Sequence, residues 1–390
     1  MPTAKAYFAD KIPALLRGLK DQGLWRRRES RTSPVGPWVD VGSERLLTFS
    51  SNDYLGLAND PRIVEALCVG ARRYGAGAGA SHLLGGHTRA HHELEETLAA
   101  FVGAPRALVF STGYMANLAL LTTLGGRRQT VFEDRRNHAS LLDAARLARS
   151  ECRRYRQLGD LAERVHGTEG GLIVTDGVFS MDGDIAPVAA LRTLAKSAGL
   201  GLIVDDAHGL GVVGPEGKGT PAFHGLAYDP VLVHMGTLGK AFGVFGAFVA
   251  ASADIIEALI QRARPYIYTT ALPPAVAAAA HASIEIARLE EYRRVHLKAR
   301  IQQFRDGAEA LGLRVLSSPT AIQPLIMGTS ERALKASAHL RSRHLLVSAV
   351  RPPTVPIGSA RLRITLSAAH SADDVGQLLE GLATLPLDTA

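Results

Sequence analysis

The residues best suited to chemistry stand at the ends of apolar runs. Leu202-Ile-Val-Asp205 closes on an acid and leads into Asp206-Ala-His208-Gly209. A carboxylate that ends a buried strand is costly unless a cation meets it. Taken singly, Asp205 reads as a cap or turn residue, but His208 falls three residues on, at the same edge. Further along, Gly236-Thr237-Leu238-Gly239-Lys240-Ala241-Phe242-Gly243 sets Lys240 after another apolar run, among glycines and apolar side chains. Burial lowers a lysine from its usual pKa of about 10.4 and frees the amine as a nucleophile. Taken singly, Lys240 reads as a surface lysine in a loop. A third segment, Ser111-Thr112-Gly113-Tyr114-Met115-Ala116-Asn117, follows an apolar run and opens a helical pattern. The free N–H groups and dipole of a helix start suit a phosphate dianion, although such a segment is as often an ordinary cap.

Other segments fail the patterns they suggest. Gly75-Ala-Gly-Ala-Gly79 does not open a helix after a strand, so it makes no dinucleotide fingerprint. Gly217-Lys218-Gly219-Thr220 lacks the upstream glycine of a phosphate-binding Walker loop, since Val212 stands there. Gly177-Val-Phe-Ser180 is no nucleophile elbow. His87 and His91 have helical i,i+4 spacing, but Thr88 occupies the glutamate position of a zincin. No metal site is expected, and His87, His91 and His92 read as loop or helix-surface residues.

The combination is more specific than its parts. A strand-ending acid, a histidine three residues on and a Thr-x-Gly-Lys run are what pyridoxal phosphate chemistry requires. The lysine supplies the Schiff-base amine, and the acid keeps the pyridine nitrogen protonated so that the ring absorbs carbanion charge.

These residues need a frame. β-type runs at 107–110, 130–132, 172–175, 202–205, 231–235 and 247–250 alternate with helical patterns at 116–124, 141–148 and 188–198. Such alternation implies βαβ crossovers and an α/β fold with a mostly parallel central sheet covered by helices on both faces. Ligands of such sheets sit beyond the carboxyl ends of the strands. Ahead of the sheet, residues 1–46 read as an N-terminal arm with an amphipathic helix at 11–23, broken by Pro34-Val-Gly-Pro37. Residues 47–274 form the large domain. Residues 275–390 form a linker helix at 275–311 and a smaller α+β domain, with strands at 322–326, 345–349 and 362–366 and helices at 332–341 and 373–382.

Composition bounds the rest. The 390 residues are 46% hydrophobic and 21% charged, a globular profile that excludes a mostly disordered chain. The only cysteines, Cys68 and Cys152, point to a reducing cytoplasm rather than a disulfide scaffold. No apolar run approaches the ~20 residues of a membrane span, and the N-terminus lacks an apolar signal core. The formal charge of +7 suits acidic partners, nucleic acid or a phosphate-rich small molecule such as coenzyme A. The densest basic spot near the N-terminus is Arg26–Arg28.

The residues resemble a known family, the α-oxoamine synthases, which are fold-type I pyridoxal phosphate transferases. The likeness covers residue 47 to the C-terminus and, more loosely, the arm. It rests on Ser50-Ser-Asn-Asp-Tyr-Leu-Gly-Leu57, Asn137-His-Ala-Ser-Leu141, Asp176-Gly-Val-Phe-Ser-Met-Asp-Gly-Asp184, Val204-Asp-Asp-Ala-His-Gly209, Gly239-Lys-Ala-Phe-Gly243, and Arg351-Pro-Pro-Thr-Val-Pro-Ile-Gly358 with Arg361-Leu-Arg363. The last motif favours the branch that condenses L-alanine with a pimeloyl thioester, on coenzyme A or acyl carrier protein, in biotin formation. Branches using glycine or serine with another acyl-CoA, and a non-catalytic basic binding protein of the same fold, are the competing readings.

By this resemblance Lys240 carries pyridoxal phosphate and moves the substrate proton. Asp205 pairs with the ring nitrogen, and His138 stacks on the ring. Ser180 and His208 orient the ring, while Gly113, Tyr114 and Thr237 hold the cofactor, Thr237 at its phosphate. Arg363 takes the substrate carboxylate in a planar two-point contact, supported by Asn52. His138, Arg26 and Thr354 contact substrate. The family's frequent Ser/Thr-Arg pair is Ser81-His82 here, and Gly75, Gly77 and Gly79 fit a loop with positive φ or close subunit approach. A homodimer with active sites at its interface is implied, with neither nucleic acid nor membrane as partner.

Overall fold

The computed structural model describes residues 7–26 and 28–386. Its central sheet has seven strands in the order Arg106–Phe110, Ala247–Ala251, Leu232–Thr237, Gly201–Asp205, Gly171–Asp176, Thr130–Asp134 and Glu151–Tyr155. Only Ala247–Ala251 runs against its neighbours. All six apolar runs expected from the sequence are strands. The seventh, Glu-Cys-Arg-Arg-Tyr, escaped notice because it is an edge strand that buries only Tyr155 and needs no apolar run.

Alternation along each strand sends side chains to two cores. Val131, Val174 and Ile203 join one apolar cluster, while their neighbours Phe132, Ile173 and Val204 join another. Helices such as Gly113–Leu124 and Val188–Ser197 cover these opposite faces. With both faces buried, the strands read as continuous apolar runs, and polar side chains at their carboxyl ends are left to meet a ligand.

The expected linker helix is two helices, Pro274–Leu289 and Glu291–Ala310. The break falls at Glu290, whose carboxylate receives Arg62 at 2.6 Å and Arg293 at 2.7 Å. Beyond it, Ile322–Gly328, Ala360–Thr365 and Ser348–Val350 form an antiparallel sheet with Ala360–Thr365 in the centre. The single strand expected at 345–349 is instead divided. Leu345–Leu346 pairs in parallel with Glu44–Thr48, and Ser348–Val350 pairs with Ala360–Thr365. Two neighbouring edges each satisfy part of the run's backbone, so neither takes all of it.

The arm contributes the Ile12–Asp21 helix, which buries no residue, and the Trp38–Val41/Glu44–Thr48 hairpin. Arg341 ties the arm down, bonding Glu29 at 2.8 Å and Glu44 at 2.6 Å. Among the described residues no helix is long and apolar enough to cross a membrane.

Candidate active site

The carboxyl ends of the strands converge as the fold class demands. Thr237 and Ala247 close a loop between two antiparallel strands, and that loop carries Lys240. Gly243 N–H donates to the Lys240 carbonyl at 2.8 Å, which tightens the turn. Gly243 has φ +66°, and a Cβ there would stand 2.3 Å from Ala58 N. Glycine is therefore needed both for the turn and for the close pass of the 57–58 backbone.

Lys240 Nζ lies 2.9 Å from His208 Nε2, and His208 Nδ1 lies 2.6 Å from the Tyr54 hydroxyl. Tyr54 in turn reaches Asn52 Oδ1 at 3.2 Å, and both terminal nitrogens of Arg363 donate to the same oxygen at 3.3 Å. Arg363 Nε donates to the Ser180 carbonyl at 2.7 Å. One hydrogen-bonded chain thus runs from the amine to the guanidinium. If Lys240 donates to His208, then His208 donates to Tyr54 and Tyr54 to Asn52, so each group keeps a consistent role.

Burial pushes Lys240 down from 10.5 to about 8, with Asp205 and Asp176 pulling the other way. His208 is held neutral, well below its usual value, by burial and then by the charges of Lys240 and Arg363. Burial lowers His138 too, against the attraction of Asp205. Asp176 rises well above the usual carboxylate range, first through burial and then through Asp205. Asp176 Oδ1 accepts the His138 backbone N–H at 3.2 Å.

Asp205 receives Ala207 N–H at 3.1 Å and the Asn117 amide at 2.7 Å. A carboxylate held by two N–H donors keeps lone pairs for a further cationic partner. Across the cleft, Thr112 caps the Gly113–Leu124 helix by accepting Met115 N–H at 3.2 Å. The Gly113 and Tyr114 N–H groups head that helix, where no preceding turn supplies an acceptor. The Tyr114 ring is exposed and its hydroxyl bonds Asp143. Thr237 Oγ1 donates to the Gly246 carbonyl at 3.0 Å and accepts Gly239 N–H at 3.2 Å, so it shapes the lysine loop. His138 caps the Ala139–Ala148 helix with the Nδ1 side of its ring turned onto buried Ser140, while the residue as a whole is exposed.

A half-buried amine of lowered pKa, a two-donor carboxylate, an exposed histidine and a helix start thus fit pyridoxal phosphate, with Lys240, Asp205, His138 and Gly113-Tyr114 as the groups that would hold it.

Arg26 and Thr354 are exposed. Arg351 links their segments, because its guanidinium reaches the Gly23 carbonyl while its own carbonyl accepts Thr354 N–H. Sequence reasoning did not single out Tyr54, Asn117, Asp176 or Arg351. Tyr54, Asp176 and Arg351 lie inside the quoted motifs and Asn117 inside the helix-start segment, which was the available signal.

The histidines correct an expectation. His91 is fully buried rather than on the helix surface. Its Nε2 donates to the Leu272 carbonyl at 2.6 Å, and its Nδ1 accepts Thr88 N–H at 3.0 Å. His82 Nδ1 meets His87 Nδ1 at 3.0 Å. Both His91 nitrogens serve backbone groups, so its part is structural. Of the glycine-rich loop, Gly75 and Gly79 have positive φ, and at Gly86, farther on, a Cβ would lie 2.1 Å from the Ala80 carbonyl oxygen of the same chain. An open depression of about 590 Å³ lies at the amino ends of the strands, lined by Leu172, Gly201, Leu202 and Val231, away from all these groups.

Fold and site together define a fold-type I pyridoxal phosphate transferase. Residues 44–382 match the aminotransferase class I and II family model. An 8-amino-7-oxononanoate synthase of Stutzerimonas stutzeri is 56% identical over 375 residues, covering 95% of this chain and 96% of that protein. One of Pseudomonas putida is 55% identical with the same coverage. A serine palmitoyltransferase of S. paucimobilis, solved with bound pyridoxal phosphate, superposes with TM-score 0.91 at 30% identity, covering 98% of each chain. An 8-amino-7-oxononanoate synthase of Francisella tularensis gives 0.77 at 33% identity, covering 87% of this chain and 97% of the other. The chain belongs to the aminotransferase class I and II family and, within it, to the α-oxoamine synthases.

Proposed function

We infer that the protein is a pyridoxal phosphate-dependent acyltransferase of biotin biosynthesis. It joins L-alanine to a pimeloyl thioester and yields 8-amino-7-oxononanoate, carbon dioxide and the free thiol carrier. The observation that carries this reading is the half-buried Lys240 amine, brought to about 8 and connected through His208, Tyr54 and Asn52 to Arg363. Relatives named 8-amino-7-oxononanoate synthase, at 55–56% identity over 95% of the chain, support the substrate pair.

When bound, pyridoxal phosphate supplies an aldehyde for amines and a cationic ring that spreads negative charge from the alanine Cα. The Gly113 and Tyr114 N–H groups, and Thr237, would receive the phosphate. Asp205 would pair with the ring nitrogen and keep it protonated, and His138 would lie against the ring. Arg363 grips the alanine carboxylate with two parallel N–H bonds, which aligns the Cα for reaction. Lys240, once free, removes the Cα proton. A base whose pKa lies near the working pH is best matched to that transfer. Neutral His208 accepts a hydrogen bond from the lysine and passes its own to Tyr54. The Cα then forms a bond to the thioester carbonyl carbon as the C–S bond breaks, and the thiolate leaves. Loss of the alanine carboxylate as carbon dioxide leaves the Cα to be reprotonated by Lys240.

Arg26 and Thr354, joined through Arg351, stand on our reading at the entry for the acyl chain. The basic arm suits either an acyl carrier protein or coenzyme A. The working unit is a homodimer. The unpartnered, buried Ser81 Oγ and the exposed Leu83, Leu84 and Tyr268 nearby in sequence or joined by the Ser81–Thr270 bridge support that reading. The free cysteines support a cytoplasmic location.

The test is the visible spectrum of the purified protein with L-alanine, glycine or L-serine, followed by thiol release from pimeloyl-CoA and pimeloyl-acyl carrier protein. Alanine should perturb the cofactor band and support thiol release. A preference for glycine or serine overturns the substrate assignment, and failure to take up the cofactor overturns the enzymatic reading.

A further inference from the structure

Asn117 is completely buried in the Gly113–Leu124 helix, one turn in from the end that faces the phosphate position. Its amide nitrogen donates to Asp205 Oδ2 at 2.7 Å and to Ser140 Oγ at 2.8 Å, which uses both of its hydrogens. The amide cannot be turned over, because that would set its oxygen 2.7 Å from a carboxylate oxygen. Its oxygen is instead left buried without a partner. Ser140, 1% exposed, accepts from Asn117, and its Oγ lies 2.7 Å from His138 Nδ1, with its single hydrogen free to point there. The Ser140 backbone N–H points at the same ring nitrogen from 3.3 Å. His138 Nδ1 is thus an acceptor toward both groups, and in the neutral ring the proton sits on Nε2.

We propose that Asn117 and Ser140 are positioning residues that lock Asp205 to His138 through one buried hydrogen-bond chain and fix His138 as the Nε2–H tautomer. The proposal rests on the roles of Asp205 and His138 given above. Its consequence is directional. His138 presents an N–H donor to the cleft, suited to a carboxylate or carbonyl oxygen of the substrate, and its basic nitrogen is turned inward, away from the Cα proton. The same chain holds the carboxylate at one edge of the ring and the imidazole over its face in fixed relation. Two groups on different strands and helices would otherwise be set independently.

The test uses the holoenzyme with ¹⁵N-labelled histidine, the His138 signal being assigned with His138→Gln. The wild type should show a protonated Nε2 and an unprotonated Nδ1. Ser140→Ala removes one small buried hydroxyl. It should retain the cofactor band but show a mixed or reversed tautomer. Its kcat should fall roughly tenfold with the alanine KM within twofold, as the loss of one buried hydrogen bond implies. A wild-type Nδ1–H tautomer overturns the proposal, as does a Ser140→Ala protein with an unchanged tautomer and kcat. Should the protein bind no pyridoxal phosphate, the functional reading fails instead, and the tautomer in the cofactor-free chain still decides the lock.

Discussion

Replacing Arg363 by Lys tests the amino acid end of the site. Arg363 is anchored by one short bond, Nε to the Ser180 carbonyl at 2.7 Å, while its two terminal nitrogens share Asn52 Oδ1 at 3.3 Å. Those long contacts leave both terminal N–H groups free to turn to a substrate carboxylate as a parallel pair. Lysine keeps the charge but has no planar fork, so one charge-assisted bond to the carboxylate is lost. A bond of that kind is worth about 1.5–3 kcal/mol. At about 1.4 kcal/mol per factor of ten, alanine binding should weaken roughly 10- to 150-fold. The assay is an alanine titration of the visible band of the cofactor-loaded protein. The colour before alanine should match wild type, since Arg363 makes none of the contacts assigned to the cofactor. An alanine constant within threefold of wild type would remove Arg363 from the substrate site. Loss of colour together with affinity would move it to the cofactor instead.

Further outcomes follow from the same geometry. Lys240 falls from 10.5 to about 8 on burial, so between those values the folded chain holds fewer protons than the unfolded one and stability rises with pH. The cost is fully present below pH 8 and amounts to about 3 kcal/mol. Lys240→Met should therefore stabilise the cofactor-free protein at pH 7 by up to that amount, with the gain gone above pH 10.5; a gain independent of pH in denaturant melts refutes the cause. Tyr54→Phe breaks the link between His208 and Asn52 and should lower kcat roughly tenfold while the cofactor stays bound; unaltered turnover excludes the hydroxyl from the chain. Gly243→Ala places a Cβ 2.3 Å from Ala58 N at φ +66° and should cost about 2–4 kcal/mol in chemical denaturation. A wild-type midpoint would show that the lysine loop tolerates the side chain.

The central sheet was legible because strands buried on both faces must be apolar throughout, and several of the parallel runs end at polar residues of the candidate site, as those closing on Asp176, Asp205 and Thr237 do. Lys240, Asp205 and His208 stood out only in combination, since each taken singly reads as a cap, turn or loop residue. Glu151–Tyr155 could not, because an edge strand buries too little to leave a pattern. The division of residues 345–349 between two sheets was equally hidden, since pairing partners at 44–48 and 360–365 are remote in sequence. The fold class, and the candidate amine, acid and helix start, could be read along the chain, because each is a local pattern of residue type against an apolar run. Which side chains connect them emerges with the folded chain. Tyr54 bridges His208 and Asn52, Asn117 joins Asp205 to Ser140, and His91 turns from a surface histidine into a buried brace on Leu272. A hydrogen bond depends on donor and acceptor meeting within about 3 Å, and no spacing along the chain records where distant strands and helices bring them together.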